Sequence, residues 1–257
     1  MRKPSNSIAV RNESLVKRIR EIKGDHPFWG YRRVWAYLRY VEGVAVNKKR
    51  VYRLMKEHNL TVRPNQRLRA KRVSERSKPK PVRPNQWWGV DMTKVIAESG
   101  WVYVVIVLDW YTKKIVGHYS GRQARGREWL EALERGLNRE FPGGVRGHEL
   151  HLMSDNGSQP TSLRFMKACS NLGVHQAFTS YNNPKGNADT ERMMRTMKEE
   201  LLWLREWKGE AELSKELDKW VVYYNRNYLH SALGYRTPTQ TQEDYYKNNE
   251  KTLLNAA

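Results

Sequence analysis

The sequence predicts a basic, all-α domain at the N-terminus followed by a mixed α/β domain built on five strands. Three observations predict this arrangement. Positive charge is concentrated in the first third of the chain, and apolar residues in that third recur at helical spacing. A run of β-branched residues then opens a stretch in which strands and helices alternate. The 257 residues therefore divide into at least two structural parts.

Length and composition exclude several classes of protein. Apolar residues make up 39% of the chain, which is enough for a packed core and too many for a wholly disordered chain. Cys169 is the one cysteine, so no disulfide framework can form within the chain. The longest apolar stretch, 101–108, is far shorter than the roughly 20 residues of a membrane span, and the N-terminus has no apolar signal-peptide segment. We therefore expect a cytoplasmic protein with no membrane partner.

The charge distribution points to a polyanionic partner. The net charge is +20, and residues 1–86 hold 24 basic and 6 acidic side chains, whereas residues 87–257 hold 23 and 21. Such an asymmetry is typical of nucleic-acid binding. The alternative is a basic arm of the ribosomal or membrane-surface type, and the helical pattern of this third argues against a mere arm.

The first 60 residues show the pattern of three helices. Apolar spacing predicts helices over 13–23, 31–41 and 48–58, and Asn47 is a suitable N-cap for the third. The turn between the last two contains Gly43, as in a helix-turn-helix, whose second helix meets DNA with its N-terminal residues. The predicted DNA contacts are Arg32, Arg33, Lys48, Lys49, Arg50 and Arg53. The alternative is a small basic bundle with solvated charges.

Residues 61–86 read as a stiff, extended linker. Nine basic residues lie between Arg63 and Arg83, and four prolines in the linker interrupt any helix. Such a segment can follow a phosphate backbone. The residues predicted to contact DNA here are Arg67, Arg69, Lys71 and Arg72.

The β pattern begins at Trp87. Strands are predicted over 87–96, 100–108, 114–120, 149–154 and 174–178, and helices over 124–140, 162–172, 189–207 and 211–226. The second strand is nearly continuous in apolar residues, so we expect it to be buried on both faces. The predicted organisation is a helix-turn-helix domain over 1–60, the linker over 61–86, a mixed α/β domain over 87–240 and a C-terminal tail over 241–257.

Three carboxylates occupy unusual places in this pattern. Asp91 lies within the first strand, where a charge is costly unless something pairs with it. Asp155 follows the fourth strand, and Glu191 lies in the first turn of a helix 36 positions later. Three such oxygen donors can hold one or two Mg²⁺ ions for phosphoryl transfer. Singly, the three could instead be a strand-edge charge, a turn or helix-cap residue, and a helix-start residue favoured by the dipole.

Several motifs in order carry a resemblance to a known family. They are Phe28-Trp29-Gly30-Tyr31-Arg32-Arg33-Val34, Trp88-Gly89-Val90-Asp91-Met92-Thr93, Ser154-Asp155-Asn156-Gly157-Ser158-Gln159, Asn183-Pro184 seven residues before Glu191, and Tyr224-Asn225 followed by His230 to Pro238. The chain resembles the insertion-sequence transposases that share the retroviral-integrase catalytic core. More narrowly, it resembles the catalytic subunit encoded in the second of two overlapping frames.

The resemblance implies an RNase H-like fold and an Asp-Asp-Glu triad. Asp91, Asp155 and Glu191 would bind Mg²⁺, for which Mn²⁺ can substitute, and would catalyse DNA strand cleavage and joining. The implied partners are double-stranded DNA at the element ends and the target, a second copy of the chain or more on DNA, and an upstream-frame product by fusion or association. The implied location is the bacterial cytoplasm, with nucleoid association when the protein is bound to DNA.

Other residues near the third carboxylate have two interpretations each. Many relatives carry Asp-Asn-Ala shortly before the Glu, so Asp189 is a rival for the carboxylate role, although the spacing from Pro184 and from Asp155 favours Glu191. Arg195 and Lys198 share a helix face with Glu191 and could bind phosphates, or could form a self-paired solvated face. Lys185 could approach the scissile phosphate or be a plain surface residue.

Two further expectations concern side chains outside the triad. Asp109, at the end of the second strand, is expected to shape the hairpin. Trp87, Trp88 and Trp101 are expected to fill the core.

Two other functions compete with a transposase. One is a non-catalytic DNA-binding regulator descended from such an enzyme, which would have no use for three converging carboxylates. The other is an RNase H-type nuclease that cuts without joining, which would need no helix-turn-helix to recognise duplex ends.

Overall fold

The structure is a computed structural model that describes residues 6–62, 79–179 and 186–255. It divides into two compact units, residues 1–71 and 72–257. Among the described residues, no helix is both long enough and apolar enough to cross a membrane. The predicted contacts Arg67, Arg69, Lys71, Arg72 and Lys185 lie outside the described residues.

Within residues 6–62, the N-terminal unit forms three helices, α1 (Asn6–Asp25), α2 (Tyr31–Tyr40) and α3 (Lys48–Glu57). The side chain of Asn47 accepts a hydrogen bond from the backbone N–H of Lys49 at 2.8 Å, so the expected N-cap is present. The apolar faces of the helices form one core, whose members include Ile19, Ile22, Val34, Leu38, Val51 and Leu54. These contacts confirm the helical spacing seen in the sequence.

The second unit is built on a five-stranded sheet of order β3-β2-β1-β4-β5. Its strands are β1 (Trp87–Ala97), β2 (Gly100–Asp109), β3 (Ile115–Gly121), β4 (His151–Ser154) and β5 (His175–Phe178). The first three pair antiparallel, whereas β4 pairs parallel with both β1 and β5. The expected mixed five-stranded sheet is therefore confirmed.

Helices cover both faces of the sheet. They are α4 (Gly126–Glu140), α5 (Leu163–Leu172), α6 (Ala188–Met197), α7 (Glu210–Asn227) and α8 (Pro238–Asn255). Side chains of α6 and α7 pack with one face of β2, and side chains of α4 and α5 pack with the other face. Successive residues of β2, such as Ile106 and Val107, enter these opposite cores, so the strand is buried on both faces as expected.

Three segments differ from the sequence expectation. Helix α1 begins at Asn6, seven residues before its predicted start at Glu13. The helix predicted over 189–207 ends as α-helix at Met197 and continues only as a π turn, Lys198–Leu202, because the chain then turns to bury Trp207. The backbone N–H of Glu98 donates to the Trp207 carbonyl at 2.9 Å, which fixes this turn to the β1–β2 hairpin. Helix α8 begins before the predicted tail and docks on the core, where the Gln242 amide donates to Glu140 at 2.7 Å.

Two of the expected side-chain roles have opposite outcomes. Asp109 is buried and accepts hydrogen bonds from the backbone N–H groups of Asn85 and Thr112, which confirms that it shapes the turn after β2. Trp101 is 48% exposed, so the expectation that it fills the core is wrong. It lies beside the turn of the β1–β2 hairpin, where the Lys94 ammonium sits 4.3 Å from the ring centroid.

Gly117 sets how closely α4 approaches the edge strand β3. A Cβ at this position would lie 2.1 Å from the backbone carbonyl oxygen of Ala132, which cannot move without shifting the helix. We expect Gly117→Ala to lower the free energy of unfolding by about 3 kcal/mol, because overpacking forces backbone displacement. Urea unfolding monitored by circular dichroism measures this loss. Gly143→Ala is the control, since a Cβ there meets nothing within 4 Å, and an equal effect of both substitutions would contradict the close approach.

Candidate active site

Asp91 lies in the middle of β1 and is mostly shielded from water. Its pKa is raised to about 6, mainly by burial and in smaller part by the nearby charges of Asp155 and Glu191. Two groups act in the other direction: the N–H of Met92, which donates to Oδ1 at 2.8 Å, and the charge of Lys198. The three carboxylates are therefore neighbours in space, although they are far apart in the sequence.

Asp155 reaches this position because β4 runs parallel to β1. Gly89 pairs with Met153, and continuing that register by two residues brings Asp155 level with Asp91. Asp155 itself follows the last residue of β4 and is exposed. Its Oδ1 accepts a hydrogen bond from the backbone N–H of Gly157 at 3.1 Å, which orients the carboxylate in the turn.

Glu191 reaches the site because the first turn of α6 is fastened to β1. The Asn187 amide donates to the Val90 carbonyl at 3.2 Å, and the Trp110 indole donates to the Thr190 hydroxyl at 3.0 Å. Gly89 allows this contact, since a Cβ there would lie 2.0 Å from the Thr190 hydroxyl oxygen. The turn that carries Glu191 thus rests on the strand that carries Asp91.

These positioning residues were missed by the sequence reasoning, and one of them had a recognisable signal. Gly89 is a glycine inside a strand pattern, which often marks a close approach of another backbone. Asn187, Thr190 and Trp110 gave no comparable signal, because their roles depend on contacts between distant parts of the chain.

Asp189, the rival of Glu191, has a different environment. Its carboxylate is 2.9 Å from the ammonium of Lys113, in the turn between β2 and β3. This ion pair accounts for the charge of Asp189 without a role at the site. The arrangement favours Glu191 as the third carboxylate.

The two cations on the same helix face are also used differently. Arg195 forms an ion pair with Glu199 at 2.8 Å, as the self-paired interpretation requires. Lys198 lowers the pKa of Asp91 and is the first residue of the π turn. Such turns are frequent at functional sites. Lys198 is therefore the cation of this pair whose charge acts on Asp91.

The three carboxylates do not form a closed cluster in this structure. In the part of the chain that the structure describes, no three side chains of His, Cys, Asp or Glu are grouped closely enough to hold a metal ion. Asp155 and Glu191 are both exposed, whereas Asp91 is partly buried. The geometry therefore joins one fixed, shielded carboxylate to two carboxylates that face solvent.

The predicted DNA contacts of the N-terminal unit fall into two groups. Lys49 and Arg53 are exposed on α3, and Arg32 is exposed on α2. Lys48 and Arg50 have partners within the unit, and Arg33 is partly buried. Their contacts with DNA stay predictions.

Sequence comparison relates both units to known families. Residues 10–67 match the HTH-like domain family, and residues 81–184 and 172–238 match two integrase core domain families. The chain is 30% identical to the transposase for insertion sequence element IS629 of Shigella sonnei, over 93% of this chain and 82% of that protein. It is 28% identical to the transposase for insertion sequence element IS904 of Lactococcus lactis, over 96% of this chain and 99% of that protein.

Structural comparison supports the same fold. A chain of the simian T-cell lymphotropic virus intasome, in complex with PP2A regulatory subunit B56 gamma, aligns with a TM-score of 0.51 and 14% identity. The alignment covers 80% of this chain and 73% of that chain. At this identity the likeness is one of fold.

The fold, the site and the family matches define an integrase-type polynucleotidyl transferase preceded by a helix-turn-helix-like domain. The chain belongs to the insertion-sequence transposases, which cleave DNA strands and transfer them. A non-catalytic regulator is not favoured.

The contact between Gly89 and α6 is open to a direct test. We expect Gly89→Ala to lower the rate of strand transfer by about 100-fold, because a displacement of about 1 Å of a catalytic group has that effect. Thr190→Val removes the hydroxyl that accepts from Trp110 without adding volume, and a smaller loss is expected. Rates measured at saturating DNA, with thermal unfolding of each variant, check both. A Gly89→Ala protein as active as Gly143→Ala would contradict this role of the glycine.

Proposed function

We propose that Asp91, Asp155 and Glu191 form the metal-dependent catalytic centre of this transposase. One observation carries the assignment: the register of β4 with β1 and the contact of α6 with Gly89 bring Asp155 and Glu191 to Asp91, whose pKa is raised to about 6 by burial together with their charges. A shielded carboxylate beside two others is unfavourable without a cation, and clusters of this kind mark functional sites.

The donor set fits a hard divalent cation. Carboxylate oxygens are the ligands that Mg²⁺ takes, and a cation would remove the repulsion among the three charges. We propose Mg²⁺ as the physiological ion, with Mn²⁺ able to substitute. Because Asp155 and Glu191 are exposed, we also propose that they move toward Asp91 when the ion and DNA bind.

The proposed reaction is an in-line displacement at a phosphodiester. Water attacks phosphorus first and releases a 3′-hydroxyl, which then attacks a target phosphodiester and displaces a second 3′-oxygen. Bound Mg²⁺ supplies stabilisation of the charge on the attacking and leaving oxygens. Asp91 on β1 and Asp155 just after β4 would hold the ion, and Glu191 on α6 would complete its ligands. Lys198 binds a phosphate oxygen beside the carboxylates.

The N-terminal unit and the linker bind duplex DNA at the ends of the element. The exposed cations of α2 and α3 contact phosphates there, and the linker residues Arg67, Arg69, Lys71 and Arg72 follow the backbone. Lys185 approaches the scissile phosphate. Because joining needs two ends, we propose a dimer or a larger assembly on DNA, and association with an upstream-frame product.

The triad is tested by isosteric substitutions. We expect Asp155→Asn and Glu191→Gln each to lower DNA cleavage and strand transfer at least 1,000-fold, because each replaces an anionic metal ligand with a neutral amide. The substrates are short duplexes from the flanks of the coding frame, with a plasmid target and Mg²⁺. Binding of the same duplexes, measured by fluorescence anisotropy, stays at the wild-type level.

Asp189→Asn is the matched control on the same helix turn. It removes a charge two residues from Glu191 that pairs with Lys113, so its activity is expected to stay within a few-fold of wild type. Loss of activity in Asp189→Asn, with retention in Glu191→Gln, would reverse the assignment of the third carboxylate.

The raised pKa of Asp91 predicts that this residue lowers the free energy of unfolding by an amount that depends on pH. The folded state holds the proton to about pH 6 and the unfolded state only to about pH 4, so metal-free stability falls as pH rises between these values. Asp91→Asn cannot ionise, and we expect it to exceed wild-type stability by about 3 kcal/mol at pH 7 in EDTA. At pH 4 the difference should nearly vanish. Urea unfolding at both values measures it, and an equal gap at both would contradict the pKa.

A further inference from the structure

The basic residues at the start of α3 are not equally available. The Arg50 guanidinium donates to the Asn12 side chain on α1 at 2.8 and 3.1 Å. The Lys48 ammonium lies 4.2 Å from the ring centroid of Trp35 on α2. Both side chains are thus occupied in holding the three helices together.

Apart from Glu57, which lies 3.7 Å from Arg53, the remaining polar residues of α3 form one continuous outer face. At about 100° per residue, Lys49, Tyr52, Arg53 and Lys56 fall within an arc of roughly 100°, and all four are exposed. The buried residues Val51, Leu54 and Met55 lie on the opposite side of the helix. We call the four exposed residues the outer face of α3.

Tyr52 differs from its neighbours on this face. It is 44% exposed, and its ring centroid lies 4.7 Å from that of Tyr31, the first residue of α2. The Arg32 guanidinium lies 5.5 Å from the centroid of that same Tyr31 ring. A tyrosine is therefore fixed by one aromatic contact in the middle of a cationic surface, with much of its ring open to solvent.

The chemistry of the four residues divides their tasks. Lys49, Arg53 and Lys56 carry charges that attract every phosphate alike, and phosphate contacts position a protein without reading sequence. The tyrosine ring and hydroxyl can contact a thymine methyl and the donors and acceptors of a base edge in the major groove. Contact with DNA would also bury apolar surface that Tyr52 leaves in water.

We propose that Tyr52 determines the base preference of end binding, while Lys49, Arg53, Lys56 and Arg32 supply phosphate contacts. The inference rests on the proposed binding of DNA ends by the N-terminal unit. It assigns recognition to a residue that the basic pattern of the sequence does not single out.

The test is selection of binding sites by the full chain from a pool of random duplexes. We expect the wild type to select a motif and Tyr52→Ala to lose preference at one or two adjacent positions, by roughly 5- to 150-fold against the wrong base. Tyr52→Arg is expected to shift the preference at those positions toward guanine, because Arg pairs with the guanine edge. This second variant keeps a long side chain on the exposed surface.

Lys56→Ala is the matched control one turn further along the same face. We expect it to weaken binding to all duplexes equally and to reduce the salt slope by about 1, without changing the selected motif. If Tyr52→Ala and Tyr52→Arg both select the wild-type motif, or if Tyr52→Ala weakens all duplexes equally, the inference is overturned. A wild type that binds no duplex overturns the proposed end binding as well.

Discussion

The catalytic unit depends on one unfavourable interaction, the burial of the Asp91 carboxylate in β1. Burial raises the pKa of this group, and two further carboxylates raise it more. A fold optimised only for stability would place an apolar residue here, as it does at Val90 on the same strand. The pairing and packing of β2 offset this loss of stability, because β2 pairs along β1 and is buried on both faces.

The same strand determines where the other two carboxylates can lie. Parallel pairing with β4 fixes Asp155 by register, and the missing side chain at Gly89 fixes Glu191 by letting α6 touch β1. These two constraints differ in kind. The first is backbone pairing between strands, and the second is the space left by the missing side chain of Gly89, with two hydrogen bonds that support the contact. A change in either would separate the carboxylates while leaving most of the core intact.

Apolar patterning predicts the parts of this fold that are buried. The strand positions agree with the sequence expectation to within two residues. A run of β-branched residues such as that of β2 favours a buried strand over other structures. Patterning fails where docking is polar or where the chain reverses. Helix α8 docks through Gln242 and Glu140, which leave no apolar period to detect. The end of α6 is set by the burial of Trp207, a contact with the distant hairpin.

For charged residues the sequence gives the type of group, and the three-dimensional partner decides its use. Asp189 and Glu191 are equivalent by composition, yet Lys113 neutralises the first, while the charge of the second acts on Asp91. Arg50 and Arg53 are equally basic, yet Asn12 holds the first and the second stays on the outer face of α3. In both pairs the group with a stronger internal partner contributes to the fold, because releasing it would cost that contact. The group with the weaker internal partner can meet a metal ion or DNA without such a cost, which is why we propose that availability, more than charge, distinguishes the functional member of each pair.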